Sequence, residues 1–345
     1  MNIATIVLLG LLTGLHAASW GAYKDSPYEG FRLRSYVRSP LMGALIGLAL
    51  CLLSPLESTY PVAILIGVMY AVERLTTEAW KAIARNDDQS AYDIPMRLGY
   101  RCKPIDNVVI RYGVGAAAAT VLILGCWAAS AVQGRLELDK WAVVVLGSLG
   151  GWLTALGGAW KDAPIEGFGA WKFLRSPVVA TAWAVPLSFL TDNWVVLAWS
   201  AAGFAVASIE TYKTYLSGSQ PPGKFATKRI RFHLAATRRR LARIHAAAWI
   251  AIALAIATVP EPFWQWSRQG ATTAPELAII MVAAHGTVAA TLVMGTTSDD
   301  TGAHHPSASD VSDSGRLASQ PHAPERQDPV SREETSASPA VAQKR

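Results

Sequence analysis

The sequence predicts an all-α fold, a polytopic bundle of membrane-spanning helices. Of the 345 residues, 51% are hydrophobic and only 16% are charged, and the mean hydropathy is +0.25. The apolar residues come in long blocks, such as 108–132 and 244–259. Because a helix needs about 20 mostly apolar residues to cross the hydrocarbon core of a bilayer, blocks of this kind predict transmembrane helices. Composition and block length together exclude a soluble or single-span protein.

We predict nine spans from the positions of these blocks. They are 2–19, 40–56, 60–80, 108–132, 141–160, 177–191, 193–215, 244–259 and 277–295.

An internal repeat organises the chain. Residues 21–40, the first motif segment, read GAYKDSPYEGFRLRSYVRSP, and residues 158–177, the second motif segment, read GAWKDAPIEGFGAWKFLRSP. Eleven of the twenty aligned positions are identical. We interpret this as a duplication of a four-helix unit, and an even number of spans per unit makes the two units parallel. The predicted organisation is a first four-helix repeat over 1–135, a second over 136–260 and a ninth transmembrane helix within 261–295.

Loop charges predict the orientation. Counting Lys and Arg, the odd-numbered loops contain four, five, three and nine, whereas the even-numbered loops contain none, two, none and one. Cytoplasmic loops carry the excess of positive charge, so the odd-numbered loops are predicted to be cytoplasmic and the N-terminus to lie outside. The predicted location of the protein is the inner membrane of a bacterium. Residues 296–345 are rich in Ser, Pro, Asp, His and Ala without apolar periodicity, which predicts a disordered cytoplasmic tail.

Both motif segments contain a pair of acids spaced by four residues. Asp25 and Glu29, and likewise Asp162 and Glu166, share one face wherever the segment is helical. Mg²⁺ takes oxygen ligands and bridges substrate phosphates, and such carboxylate pairs suit it. We therefore predict these four acids as Mg²⁺ ligands.

Cations flank the acids in both segments. Lys24 and Lys161 are point charges beside the aspartates, and Arg38 and Arg175 are planar donors that can hold phosphate oxygens in pairs. We predict these four as catalytic residues that stabilise a diphosphate leaving group.

A structural interpretation of the same residues stays open. Ser26 to Glu29 has the composition of a capping box with proline at the first helical position, and Asp162 can cap a helix similarly. The arginines also suit simple anchoring at the cytoplasmic membrane edge. The presence of Lys, Asp, Glu and Arg in both segments favours a ligand site, because capping does not need all four.

Five further residues are candidates to line a cavity between the repeats. Glu73 and Glu210, with Thr77 and Thr214 one turn further on, come at the cytoplasmic ends of apolar blocks. Pairing of the acid to a neighbouring arginine such as Arg74 is the equally open alternative. Lys224 belongs to a basic loop suited to phosphate or anionic lipid headgroups.

The acidic segments followed by Arg-Ser-Pro resemble those of the UbiA-type intramembrane prenyltransferases. The matching strings are Asp25-x-x-x-Glu29 with Arg38-Ser39-Pro40, and Asp162-x-x-x-Glu166 with Arg175-Ser176-Pro177. The resemblance implies two bundles that each present an acidic cytoplasmic loop, where Mg²⁺ holds an isoprenoid diphosphate before the prenyl cation passes to an acceptor. This chain departs from the family in placing Glu at the last acidic position and in lacking the full Asn-Asp-x-x-Asp-x-x-x-Asp string.

These observations predict a Mg²⁺-dependent integral-membrane transferase for a lipid or isoprenoid diphosphate at the cytoplasmic face. The first alternative is a transporter or lipid-handling protein in which Lys to Glu and Arg to Asp contacts between the halves form charged gates. The second alternative is a phospholipid headgroup transferase. The chain has no motif for nucleic-acid binding, and its oligomeric state is not determined by the sequence.

Overall fold

The computed structural model describes residues 1–53, 60–100, 103–133, 135–217 and 221–258. The ninth predicted span and the predicted tail lie outside the described residues. Within the described part the chain is mostly helical, with only two very short strands.

Nine α-helices follow one another along the described chain. They are α1 (Ile3–Glu29), α2 (Leu33–Leu53), α3 (Val62–Ala79), α4 (Val108–Gln133), α5 (Lys140–Gly147), α6 (Leu149–Glu166), α7 (Ala170–Leu187), α8 (Trp194–Thr211) and α9 (Ala235–Thr258). A turn at Ser148 separates α5 from α6, and the two together cover one predicted span. The first eight predicted spans each overlap a helix.

Six of the helical segments are long and apolar enough to cross a membrane. They are Ile3–Glu29, Leu33–Leu52, Val108–Gln133, Lys140–Glu166, Trp194–Leu216 and Ala235–Thr258. Many large apolar side chains on them are exposed, for example Val109 and Trp141. Such surfaces are expected where lipid surrounds a bundle, and the chain is an integral membrane protein on this evidence.

Helices α3 and α8 form the centre of the bundle. Their side chains are mostly buried, and a Cβ at Gly67 or Gly203 would overlap the backbone of the facing helix. Small residues at such crossings let membrane helices approach closely and gain van der Waals contact. Helices α1 and α2 pack side by side in the same way, through Gly10 and Gly43.

Each central helix continues into a π-helix of five residues, which we name π1 (Trp80–Ala84) and π2 (Tyr212–Leu216). Helices α3 and α8 have the same length of 18 residues, so their positions correspond at an offset of 212 − 80 = 132. In this alignment Glu210 corresponds to Glu78. The sequence offset of 137, taken from the motif segments, pairs Glu210 with Glu73 instead.

Between π1 and α4 the chain forms a small folded loop. It contains a 3₁₀ turn (Gln89–Ala91) and an antiparallel pair of strands, β1 (Gly99–Tyr100) and β2 (Lys103–Pro104). Arg111 at the start of α4 is buried and donates to Arg85 O and Asn86 Oδ1, which attaches the loop to α4.

Two sequence expectations about helix ends were wrong. Ser26 and Pro27 do not begin a helix, because α1 continues through them to Glu29. The Arg-Ser-Pro strings do not start the next span either, since Pro40 and Pro177 lie inside α2 and α7. Proline is tolerated inside membrane helices because neighbouring helices and side chains satisfy the backbone groups that it leaves free.

Candidate functional site

The motif segments form the last turns of α1 and α6 and the first turns of the helices that follow. Both helices end at a glycine with positive φ, Gly30 at 78° and Gly167 at 82°, and in each the glycine N–H donates to the carbonyl four residues earlier. Asp25 and Glu29 therefore lie on one face of a helix, as do Asp162 and Glu166, in agreement with the sequence prediction.

In the first motif segment Lys24, Asp25 and Glu29 each have an oppositely charged partner from a distant part of the chain. Lys24 forms an ion pair with Glu210 of α8. Lys224 donates to Asp25 at 2.8 Å and lies 3.9 Å from Glu29. The guanidinium of Arg38 lies over the ring of Trp80, 4.0 Å from its centroid. These contacts connect α1 and α2 with α8, π1 and the loop before α9.

In the second motif segment the acids are paired locally. Lys172, at the start of α7, contacts Asp162 at 3.3 Å and also bonds Glu166. Burial lowers the pKa of Lys172, but the Glu166 hydrogen bond and the two carboxylate charges outweigh it and raise this pKa above its ordinary value. Lys172 was not among the predicted site residues, because its counterpart in the first segment is Ser35.

Two cations of the second motif segment are left without a carboxylate. Lys161 Nζ lies 3.6 Å from Met96 Sδ, and among the residues that the structure describes no acid lies within 4 Å of Lys161 or Arg175. Arg175 Nε is buried and has no hydrogen-bond partner among the described residues. Both residues were predicted to stabilise a diphosphate.

A cavity of about 1570 Å³ begins beside these cations and extends between the helices. Its walls come from α3, α4, α6 and α8 and are largely apolar. Its charged end is formed by seven side chains. These are Arg74, Glu78, Arg97, Lys161, Asp162, Glu210 and Lys213.

The predicted cavity residues are only partly at this cavity. Glu210 lines it, whereas Glu73, Thr77, Thr214 and Lys224 do not. Glu73 is buried inside the bundle, where Thr77 Oγ1 donates to its Oε1 at 3.0 Å. Arg74 does not pair with Glu73 but bonds Glu78.

Sequence reasoning missed the role of Glu78. It accepts from Lys81 at 2.9 Å, three residues further on, just as Glu210 lies 3.6 Å from Lys213. The strings Glu78-Ala79-Trp80-Lys81 and Glu210-Thr211-Tyr212-Lys213 have the same pattern at an offset of 132. Searching for a second offset would have found this pair of acids at the ends of α3 and α8.

The loop before α9 covers the first motif segment. Arg231 N and Phe232 N both donate to Pro27 O, and the rings of Tyr28 and Phe225 stack with centroids 4.4 Å apart. The last carbonyls of a helix have no partner within the helix, so Pro27 O is available for these bonds. The carboxylate of Glu166 also lies against Gly223, so this loop contacts both motif segments.

A second contact attaches this loop to the loop after π1. Thr227 donates to Asp93 through its backbone N and its Oγ1, both at 2.7 Å. These hydrogen bonds lower the pKa of the Asp93 carboxyl.

The arrangement of the acidic side chains gives the prediction of a Mg²⁺ site no added support. In the described ranges of the chain, no group of three His, Cys, Asp or Glu side chains comes together as a metal centre would need. Asp25, Glu29 and Glu166 approach the turn at 223–225, where Lys224 bonds Asp25 Oδ2 and Lys172 bonds Glu166. The four acids as Mg²⁺ ligands remain a prediction.

Fold and site define an integral-membrane helical protein with a largely apolar cavity that ends in a layer of charged side chains. No family model matches the chain, and neither does any curated protein or solved structure.

Proposed function

We propose that this protein binds a lipid with a phosphate or diphosphate headgroup and handles it at the cytoplasmic face of the membrane. The observation that carries the proposal is the cavity itself, which joins apolar walls inside the bundle to a charged end with four basic and three acidic side chains. The orientation follows from the basic odd-numbered loops. The proposal includes nine spans in two parallel repeats and a disordered tail.

The apolar part of the cavity suits acyl or prenyl chains. Val121, Leu122, Leu153, Val195 and Val206 are among its lining residues and belong to α4, α6 and α8. Pockets for drug-sized ligands usually measure about 300–1,000 Å³. The cavity is larger, about 1570 Å³, which favours a long hydrocarbon chain over a compact metabolite.

The charged end suits a phosphate. Lys161 and Lys213 line the cavity. Ser176 lines it as well, so the preceding residue, Arg175, lies next to the cavity. Arg175 and Lys213 repel one another electrostatically, and an anion between them would relieve that repulsion. Guanidinium and ammonium groups form charge-assisted hydrogen bonds with phosphate oxygens, so these three cations would hold the headgroup.

Ion pairs between distant helices favour lipid handling over lipid chemistry. Lys24 on α1 bonds Glu210 on α8, and Lys224 bonds Asp25, which are contacts of the kind expected for a gate. A phosphate that binds Lys213 would compete with Glu210 and weaken these contacts. Lipid uptake and opening of the layer would then be linked.

Mg²⁺-dependent transfer of a lipid or isoprenoid diphosphate is the second candidate. Asp162 favours it, because this acid lines the cavity beside Lys161 and has Glu166 one turn further on. No reaction step is assigned to a metal in this arrangement.

Binding of defined lipids by the purified full-length protein tests the proposal. Dioleoyl phosphatidic acid and farnesyl diphosphate should bind at least about tenfold more tightly than dioleoylglycerol, because only the first two provide phosphate oxygens. Lys161→Gln should weaken phosphatidic acid binding by about tenfold or more. Lys140→Gln is the matched control, since Lys140 is an exposed lysine at the other end of the same broken span, and it should leave the dissociation constant unchanged.

Equal binding of phosphatidic acid and dioleoylglycerol, or unchanged binding by Lys161→Gln, would overturn the proposal. The same assay distinguishes the second candidate. Lipid handling predicts that chelation of divalent cations leaves farnesyl diphosphate binding intact, whereas a Mg²⁺-dependent transferase predicts weaker binding both on chelation and in Asp162→Asn.

A further inference from the structure

A pair of histidines lies buried in the middle of the bundle, away from the cavity. His16 is the fourteenth residue of the 27-residue α1, and His245 is the eleventh residue of α9. Their Nε2 atoms are 3.3 Å apart and their rings stack with centroids 4.1 Å apart. Both rings are buried, with exposed fractions of 0% and 4%. Ionisable side chains at such depth in a membrane protein are costly and mark functional sites by default.

The hydrogen-bond partners determine where the protons of this pair lie. Thr211 Oγ1 donates its own hydrogen to Ala207 O, so its contact with His245 Nε2 at 3.1 Å makes that nitrogen the donor. The one hydrogen on His245 Nε2 is then shared between Thr211 Oγ1 and His16 Nε2, both of which accept. Because a neutral imidazole carries one N–H, His16 Nδ1 holds the other hydrogen and donates to Tyr70 Oη at 2.6 Å.

This arrangement leaves two groups able to take part in proton exchange. His245 Nδ1 is a buried basic nitrogen with no hydrogen-bond partner in the described part of the molecule. Tyr70 accepts from His16, so its own hydrogen is free for a further acceptor. Tyr70 interacts electrostatically with Glu73, which lies three residues further along the same face of α3.

Glu73 connects the pair to the charged layer. Its side chain is fully buried, its Oε2 has no hydrogen-bond partner among the described residues, and its Oε1 accepts from Thr77. Glu73 also acts electrostatically on Arg38 and Arg74. The polar groups on α3 thus run from the bundle centre at Tyr70, through Glu73, to the layer that contains Arg74 and Glu78.

The other walls around the histidines are aromatic. Trp20 from α1, Trp249 from α9 and Tyr215 from π2 contact the imidazoles, with centroids 4.4–5.0 Å from the nearer ring. Tyr215 in turn interacts electrostatically with Tyr23, Tyr36 and Arg238. Within the described ranges no carboxylate lies within 4 Å of either imidazole, so Glu73 is the acid that can serve them through Tyr70.

We infer that His16 and His245 form an intramembrane site for one exchangeable proton, which Tyr70 and Glu73 connect to the charged layer. The proton adds at His245 Nδ1. It is released toward the charged layer when the His245 Nε2 hydrogen passes to His16 Nε2, the His16 Nδ1 hydrogen passes to Tyr70 Oη and the Tyr70 hydrogen passes to the Glu73 carboxylate. Both imidazoles cannot be charged together, because two cations in contact would repel in a medium of low dielectric constant. The inference does not rest on lipid binding, since none of these four residues lines the cavity.

Nitrogen-15 NMR of the histidine-labelled full-length protein in lipid nanodiscs tests the site. The imidazole nitrogen shifts report the tautomer and the charge of each ring, and the variants His16→Gln, His245→Gln and His233→Gln assign the signals. From about pH 8 to about pH 3, the His16 and His245 signals should change together in one transition that adds one proton to the pair. His233 is exposed in the loop before α9, and its replacement should leave this transition in place.

Two variants that keep both rings test the route even where loss of a histidine prevents folding. Tyr70→Phe and Glu73→Gln should each shift the midpoint of the shared transition by about one pH unit or more, because each removes a partner that the charged and neutral pairs sense differently. Neutral rings throughout this pH range, or separate transitions for the two rings, would overturn the proton site. A midpoint unchanged in both variants would overturn the route through Tyr70 and Glu73.

Discussion

The first and second motif segments have the same backbone ending but different surroundings. Pro27 is buried and its carbonyl accepts two backbone hydrogen bonds from the loop before α9, whereas Pro164 and Glu166 are exposed. Gly30 lies 3.5 Å from the ring of Phe232, measured from the position a Cβ would take, whereas no described residue lies within 4 Å of that position at Gly167. Within the described part of the chain, the first segment is thus built into the bundle and the end of the second is left largely uncovered.

The cations of the first segment also have more contacts than those of the second. Lys24 has Glu210 as its partner and Arg38 has the ring of Trp80. Lys161 and Arg175, at the corresponding positions, have no carboxylate among the described residues. An identical string can therefore serve stability in one place and ligand binding in the other, and its contacts decide which.

Helix packing explains the difference. Helix α9 packs along α1 and brings the covering loop onto the first segment. Among the described residues, α6 has no helix beside it that brings a covering loop of this kind. It forms a wall of the cavity together with α4 instead.

Replacing Lys24 or Lys161 by an uncharged residue should show the largest difference between the two motif segments. Lys24→Met should lower the free energy of unfolding by about 2 kcal/mol, because a partly buried charge-assisted hydrogen bond to Glu210 is lost. Lys161→Met should change it by less than about 0.5 kcal/mol, since no acid loses its partner. Denaturant unfolding of the purified protein, followed by tryptophan fluorescence, measures both.

A double-mutant cycle with Glu210→Gln controls this comparison. Lys24→Met and Glu210→Gln together should destabilise by less than the sum of the two single changes, because they remove one shared interaction. Equal destabilisation by Lys24→Met and Lys161→Met would show that the two segments are equally structural.

Alanine at the two glycines tests the part that the segments share. Gly30→Ala and Gly167→Ala should each destabilise by about 1–3 kcal/mol, because both residues have a backbone conformation that only glycine adopts easily. Similar losses are expected, since Phe232 at 3.5 Å leaves ordinary space for a methyl group.

Gly113→Ala on α4 is the control for the glycine variants. Gly113 has helical backbone, and no residue of the described ranges lies within 4 Å of a Cβ built there, so the substitution should stabilise by up to about 1 kcal/mol. Losses confined to Gly30→Ala would mean that the covering loop, and not the backbone, sets the cost.

Local patterns in the sequence predict the helices and the shared face of each acid pair, because both depend on spacing along the chain. They do not predict that α1 continues through Pro27, since the rule that proline ends a helix comes from soluble proteins. The pairing of Lys24 with Glu210 joins residues 186 positions apart and leaves no local signal. The absence of a partner for Lys161 depends on packing around α6 in the same way.

The smallest expected effect is the pH dependence of the loop that covers the first segment. Hydrogen bonds from Thr227 lower the pKa of Asp93 in the folded protein, so the folded carboxyl binds its proton less readily than the unfolded one. The stability that Asp93 contributes is therefore present above its unfolded pKa of about 3.9 and is lost as the pH falls through the folded value. Asp93→Asn should lower the melting temperature at pH near 7, and the difference from the unmodified protein should vanish toward about pH 3. Thr227→Val, which removes one of the two donors, should show a smaller difference with the same sign. A difference that stays constant with pH would mean that Asp93 holds the loop without being charged.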